Sequence, residues 1–383
     1  MDLLRTTGDE FKMKVPQFMP YVDMEDYEAL RQSFEMNWIT EGPKSKEFDE
    51  RLRSMTNTSY GSFAPNGTLA LYLALRAAGI GKGDEVIVPD FTFIATANAV
   101  EMTGATPVFA DIDKDTFQLD PDSCVKLITR RTKAIMPAHL YGFCCDMDKV
   151  RSFAEKYKLI FIEDSAQALG IEWKGQPCGS FGDISCFSFF ADKTITTAEG
   201  GYVTTNNEKF AESLKYLRNQ GRLDRGSFIH PEIGYNFRMT DLQTSLGLSQ
   251  LNKFDRIVDL KRKVHAMYTE MLCDVDEVEV VQPNENITSF IPFRVVLQVK
   301  EESSEKLMSF MSEQEIEPRT FFYPLHMQPC FKRYIKHRRY RKYSFDNTVT
   351  AYNKGVCLPS YAALEPDQVQ HVCDTIKKYY GRH

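Results

Sequence analysis

The sequence predicts an α/β protein in which a mainly parallel central sheet is flanked by helices, followed by a smaller C-terminal α+β domain. Three observations carry this. The runs "EVIVPD" (85–90), "TPVFADI" (106–112), "KAIMPAHLYG" (133–142) and "KLIFIEDS" (158–165) are rich in Ile and Val and polar only at their ends, as strands buried on both faces are. Longer helical stretches separate them, and a βαβα order calls for parallel strands with crossover helices. Near residue 240 the texture changes, and a separate strand and helix candidate follow.

In chain order, "TLALYLALRAAG" (68–79) and "DMDKVRSFAEKYK" (146–158) read as helices of the first unit. Thr240 and Gln243 have capping-box spacing, with Leu242, Leu246 and Leu251 at helical intervals behind them, which predicts one long helix leaving the large domain. "SFIPFRVVLQV" (289–299) reads as a strand and Glu302 to Ser312 as a helix. At 383 residues the chain has room for roughly two or three domains of about 100–200 residues. The division expected is an N-terminal segment, 1–40, packing on the body; a large α/β domain, 41–250; and a small α+β domain, 251–383.

Hydrophobic residues at 43% and charged residues at 26% fit a soluble globular chain rather than a disordered one. No run approaches the 18 or so apolar residues of a membrane span, and the first 20 residues lack a signal peptide's apolar core, so a cytoplasmic protein without a membrane partner is expected. Nine cysteines, with Cys144 and Cys145 adjacent rather than spaced for a metal, suggest reduced thiols and no metal site. A net charge of −6 argues against nucleic acid as a partner. One basic run, "KRYIKHRRYRKY" (332–343), could grip a nucleotide; a solvated surface segment is the favoured reading.

Strand ends are where an α/β fold keeps its ligands. "IEDSAQALG" puts Asp164 and Gln167 just after a strand, and Lys193 follows in "SFFADKTITTAEGG". A lysine and a carboxylate in one crevice can be an ordinary ion pair, or they can serve pyridoxal 5′-phosphate (PLP), whose aldehyde takes a lysine amine and whose ring nitrogen stays protonated beside a buried anion. Asn66, Gly67 and Thr68 precede a helix, whose start can receive a phosphate or merely be N-capped. Ser188 could add a hydroxyl to that phosphate, and Phe93 could stack on the ring or lie in the core.

Together these motifs, with "WITEGPKSKEFDERL" (38–52), "HLYGFCCDMD", "GYNFRMTDLQTSLGLSQL", "EPRTFFYPLHMQP" and "CLPSY", resemble the DegT/DnrJ/EryC1/StrS family of sugar-nucleotide aminotransferases, PLP enzymes of fold type I. The resemblance runs over nearly the whole chain. It implies that Lys193 bonds the cofactor, Asp164 faces the pyridine nitrogen, and Gln167 lies near the 3′-oxygen. Gly67, Thr68 and Ser188 would hold the phosphate and Phe93 would cover the ring. It implies a homodimer in which Asn236 reaches the neighbour's phosphate. Arg238, Tyr323 and His326 lie in family motifs near the expected mouth and could meet substrate, each with an equally good structural reading as buried ion pair, core residue or satisfied histidine.

The implied reaction moves the amino group of L-glutamate, through the pyridoxamine 5′-phosphate form, to the 4-keto carbon of a nucleotide-linked 4-keto-6-deoxy sugar. A GDP-linked sugar comes first, with a dTDP- or UDP-linked one, or a non-enzymatic regulatory member of the fold, as alternatives. In the family's dehydratase branch a histidine replaces the lysine, so Lys193 favours the transaminase. Ala198 stands where relatives usually carry glycine; a positive φ there would strain it.

Overall fold

The computed structural model describes residues 13–222, 226, 228–301 and 303–382. The first nine strands are β1 (Tyr60–Ala64), β2 (Glu85–Pro89), β3 (Thr106–Ala110), β4 (Thr132–Ile135), β5 (Ile160–Asp164), β6 (Glu172–Trp173), β7 (Gln176–Pro177), β8 (Ile184–Ser188) and β9 (Gly201–Thr205). Seven of them build the central sheet in the order β1-β9-β8-β5-β4-β2-β3. Neighbours from β8 through β3 pair in parallel, and β9 runs antiparallel between β1 and β8. Every residue of β2 is buried, as a strand covered on both faces requires. The expected strand 133–142 ends at Ile135, just before Pro137, which has no N–H for the ladder.

The helix Gly67–Ala77 is apolar nearly all round and buries Ala70, Leu71, Tyr72, Leu73, Ala74, Leu75 and Ala77, so it belongs inside the layers rather than on the surface. Helices Ala95–Met102 and Met147–Tyr157 make the crossovers from β2 to β3 and from β4 to β5. These connections bring the carboxyl ends of β2, β5 and β8 to the same side as the start of helix Gly67–Ala77.

The remaining strands are β10 (Val278–Val280), β11 (Ile287–Ser289), β12 (Val295–Val299), β13 (Arg319–Thr320) and β14 (Gly355–Leu358). Four form an antiparallel sheet, β10-β12-β14-β13, and β11 joins β6 and β7 in a third. The single strand expected over 289–299 is therefore two, and Pro292 lies in the break between them. Similarly, the long helix expected after residue 240 is two helices, Asp241–Asn252 and Phe254–Leu272. The capping box is present, with Thr240 and Gln243 bonding each other's backbone N–H. The chain turns at Lys253, whose ammonium is held 2.7 Å from both Asp23 and Asp26. The helix expected from Glu302 spans Ser304–Glu313, with Ser303 as its N-cap; Glu302 itself lies outside the described residues.

The N-terminal segment packs on both units; of it, residues 1–12 lie outside the described residues. Val15 bridges to Ile316, Gln17 donates to the Leu358 carbonyl, and helix Met24–Glu35 packs on helix Asp241–Asn252. Residues past 251 also cross the expected linear boundary: Phe321, Leu325, Phe331, Tyr340, Phe345 and Ala351 bury themselves in the core of the large sheet.

The basic run follows the favoured reading with an addition. Its tyrosines turn inward on β3, the edge strand: Tyr340 Oη accepts from Phe109 N–H and Tyr343 Oη from Asp111 N–H, both at 2.8 Å. Arg339 is buried against Glu85, which Arg131 also reaches at 2.7 Å. None of the run lines the central cavity. No described helix is long and apolar enough to cross a membrane, and no described cluster of His, Cys, Asp or Glu could hold a metal.

Candidate active site

One cavity of about 690 Å³ collects most of the residues singled out in the sequence. Gly67 and Thr68 line it from the helix start, Phe93 from the loop after β2, and Asp164 and Gln167 from the end of β5. Ser188 comes from the end of β8, and Lys193 from the loop beyond it. Their convergence follows from parallel strands, which put all carboxyl ends on one side.

At the helix start, Asn66 Oδ1 accepts the Leu69 N–H at 3.0 Å, while the N–H groups of Gly67 and Thr68 have no acceptor among the described residues. A Cβ on residue 67 would sit 2.7 Å from Ser188 Cβ, so only glycine lets this helix end abut the serine. Free N–H groups, a helix dipole and a hydroxyl make a site suited to a phosphate dianion.

Asp164 is buried. Thr96 Oγ1 donates to its Oδ2 at 2.7 Å and the Ala166 N–H to its Oδ1 at 3.2 Å. Burial pushes its carboxyl above the usual aspartate value against those bonds, so a cationic N–H placed beside it would be stabilised. Gln167 turns its Oε1 to the Tyr141 N–H at 2.7 Å, which leaves its amide N–H₂ for the cavity.

Lys193 is only 15% exposed. Its Nζ lies 3.5 Å from Asp192 Oδ1 and 4.5 Å from the centre of the Phe293 ring. Burial lowers its proton affinity; Asp192 opposes this and Arg294 reinforces it, and the amine ends below the ordinary lysine value. Arg294 in turn holds Asp192 Oδ2 at 2.6 Å, so the carboxylate 3.5 Å from Lys193 is already engaged.

Sequence reasoning missed Thr96, His139, Asp192, Arg294 and Arg319, which also form this site. His139 Nε2 lies 3.1 Å from Glu163, and its Nδ1 accepts the Cys145 N–H, which places the ring proton on Nε2. No spacing rule links residues on different strands; adjacency of Glu163 to Asp164 was the only available signal.

A model of the DegT/DnrJ/EryC1/StrS aminotransferase family matches residues 20–377. The chain belongs to this aminotransferase family. GDP-perosamine synthase of Escherichia coli O157:H7 is 36% identical over 368 residues, covering 96% of this chain and 99% of that one. The enzyme of the same name from Vibrio cholerae is 34% identical over 369 residues, with the same coverages. Among solved structures, the PLP form of Spr1654 from Streptococcus pneumoniae superposes with a TM-score of 0.89 at 28% identity, covering 96% of this chain and 98% of that one. The protein is thus a PLP-dependent sugar aminotransferase with the α/β fold of that family.

The cavity fits the family's cofactor. The Gly67 cradle suits its phosphate, the buried Asp164 a protonated ring nitrogen, and the Lys193 amine, held low in proton affinity, its aldehyde.

Four expected residues lie off this cavity. Asn236 is exposed and accepts from Arg238 Nε at 3.0 Å. Tyr323 packs edge-on against Tyr352. His326 is a satisfied histidine: its Nδ1 and backbone N–H both bond the buried Asp90, at 2.6 and 2.7 Å, and its ring stacks on Phe345.

Proposed function

We propose that the protein transfers the amino group of L-glutamate to the 4-keto carbon of GDP-4-keto-6-deoxy-D-mannose, giving GDP-perosamine. The observation that carries the proposal is the single cavity in which a buried lysine of lowered proton affinity, a buried carboxylate and a helix start with free N–H groups converge. The GDP-linked sugar follows the relatives of that name, which cover the chain nearly end to end.

When bound, PLP supplies an aldehyde and an electron-withdrawing ring that stabilises negative charge on the substrate carbon next to nitrogen. The chain supplies the rest. Lys193 Nζ would hold the aldehyde and, once freed by the incoming amine, would move the proton from the donor's α-carbon to the former aldehyde carbon. In the second half-reaction the same nitrogen would carry a proton back from that carbon to the sugar's C4. Asp164 would keep the ring nitrogen protonated, with its carboxylate oriented by the Thr96 hydroxyl. Gly67, Thr68 and Ser188 would hold the phosphate end, and Gln167 and Phe93 line the same cavity, where they would meet the ring.

A homodimer and a cytoplasmic setting belong to the same proposal. Leu242 and Leu246 are half-buried rather than core, and Phe228, Ile229 and Ile233 are more than 70% exposed, an apolar surface that a second copy would cover. Asn236, turned away from the cavity of its own chain, would then serve the partner's phosphate.

The test is a coupled assay of purified protein with glutamate and GDP-, dTDP- and UDP-linked 4-keto-6-deoxy sugars, with products identified by mass and NMR. Turnover of the GDP substrate above the others supports the proposal, and preference for another nucleotide overturns its sugar assignment. Borohydride reduction of the holoenzyme should place a pyridoxyl group on Lys193. An adduct elsewhere would overturn the lysine's role.

A further inference from the structure

We propose that Arg319 is the anchor for a carboxylate of the amino donor. The inference deepens the reading above and rests on it. Four cationic or basic side chains line the central cavity: His139, Lys193, Arg294 and Arg319. His139 is tied to Glu163 at 3.1 Å, Arg294 to Asp192 at 2.6 Å, and Lys193 is the amine that carries the chemistry. Arg319 has no ion pair or hydrogen bond among the described residues. Its guanidinium lies over the Phe18 ring at 5.5 Å, and Arg294 approaches the same ring at 5.6 Å.

Two guanidinium groups therefore contact one aromatic ring while a single carboxylate, Asp192, neutralises one of them. Each repels the other, and Arg319 is among the groups that lower the proton affinity of Arg294. An anion arriving at Arg319 relieves that repulsion and meets a planar fork matched to a carboxylate. The backbone under it is fixed: Arg319 pairs with Cys357, another wall residue, in the β13–β14 ladder. A donor whose α-carbon must reach Lys193 carries its α-carboxylate one bond from the reacting atom, and a dicarboxylic donor carries a second a few bonds away. Either can lie in the wall of this cavity.

The test reads the first half-reaction alone, without any sugar, by the change in visible absorption when an amino acid is added to the holoenzyme in a single turnover. Glutamate and glutamine are compared in wild type, Arg319→Gln and Arg319→Lys. Arg319→Gln should weaken apparent glutamate binding about 10- to 100-fold, since a charge-assisted pair is lost. Arg319→Lys should recover part of that, a point charge being a poorer match than the fork. A loss on both amino acids assigns the α-carboxylate; a loss on glutamate alone assigns the side-chain carboxylate.

Unchanged glutamate binding in Arg319→Gln overturns the proposal. So does a defect confined to the Michaelis constant of the sugar nucleotide in full turnover, which would place the diphosphate there instead. Because sugar is absent from the first measurement, an error in the sugar assignment leaves this result standing. Arg319 is exposed and makes no hydrogen bond or ion pair among the described residues, so the variants disturb only its contact with the Phe18 ring, which Arg319→Lys can keep.

Discussion

The hydroxyl of Tyr340 accepts the N–H of Phe109 at 2.8 Å and faces the same residue's carbonyl at 3.3 Å, so a side chain from the C-terminal part completes the edge of the central sheet. Open strand edges are liable to pair with other chains, and here a tyrosine occupies that place. The basic residues between the tyrosines keep the covering segment wet outside while Arg339 pins it to Glu85.

Tyr340→Phe should therefore destabilise the protein by about 1–3 kcal/mol, the cost of a buried backbone N–H left without an acceptor. Urea unfolding measures the loss. Michaelis constants should not change, because the segment does not reach the cavity; a raised constant for the sugar nucleotide with intact stability would show that the run binds substrate after all.

Asp164→Asn should leave the cofactor bound, since the helix start and Lys193 are untouched, yet slow both half-reactions on the order of 10²–10³-fold. Rapid mixing with glutamate, followed by absorption, reads the first of them. Cofactor loss with unimpaired chemistry in the bound fraction would contradict the assigned role.

Glu163 gathers five donors: His139 Nε2, the N–H groups of Gly179, Phe181 and Gly182, and Ser185 Oγ. Burial pushes its carboxyl up, but His139 and those N–H groups outweigh it and hold it below its ordinary value of 4.5. A carboxyl lowered by folding contributes its stability above the unfolded value and loses it as pH falls through the folded one. Glu163→Gln should cost about 3 kcal/mol at neutral pH. Its difference from wild type should stay constant above about pH 4.5 and shrink below it. Denaturant titrations at several pH values check this, and a difference independent of pH throughout the acid range would refute it.

Ala198 has φ +65°, the left-handed conformation that the departure from the family's glycine brought into question. Its N–H bonds Thr196 Oγ1 at 2.9 Å, and the turn it makes leads into Glu199 on the cavity wall. An L-residue is strained there by about 1–2 kcal/mol, partly offset by the backbone entropy that glycine gives up. Ala198→Gly should stabilise the protein by about 1 kcal/mol and raise Tm by a few degrees without altering turnover. A lower Tm would mean that the alanine methyl makes a contact worth more than the strain.

The amino-acid sequence by itself made four strands of the central sheet legible, β2 to β5, with the helices Gly67–Ala77 and Met147–Tyr157, and it singled out residues that converge on the cavity. Those depend on local order: an apolar run buries on both faces, a capping box starts a helix at Thr240, and a parallel sheet sends Asp164, Ser188 and the Gly67 helix start to one side. Proline interruptions were readable in principle, yet the break around Pro292 was passed over because the flanking residues are apolar on both sides.

Only the tertiary structure decided which charges are spent and which are free. Asp192 with Arg294, Glu163 with His139, and Asp90 with His326 are pairs made across strands and across the two units. Their energies depend on burial and on distances that no spacing along the chain encodes. For that reason His326, prominent in its motif, proves to be held by Asp90 and Phe345, while Arg319, unremarked in the sequence, is left as the cavity's unpaired cation among the described residues.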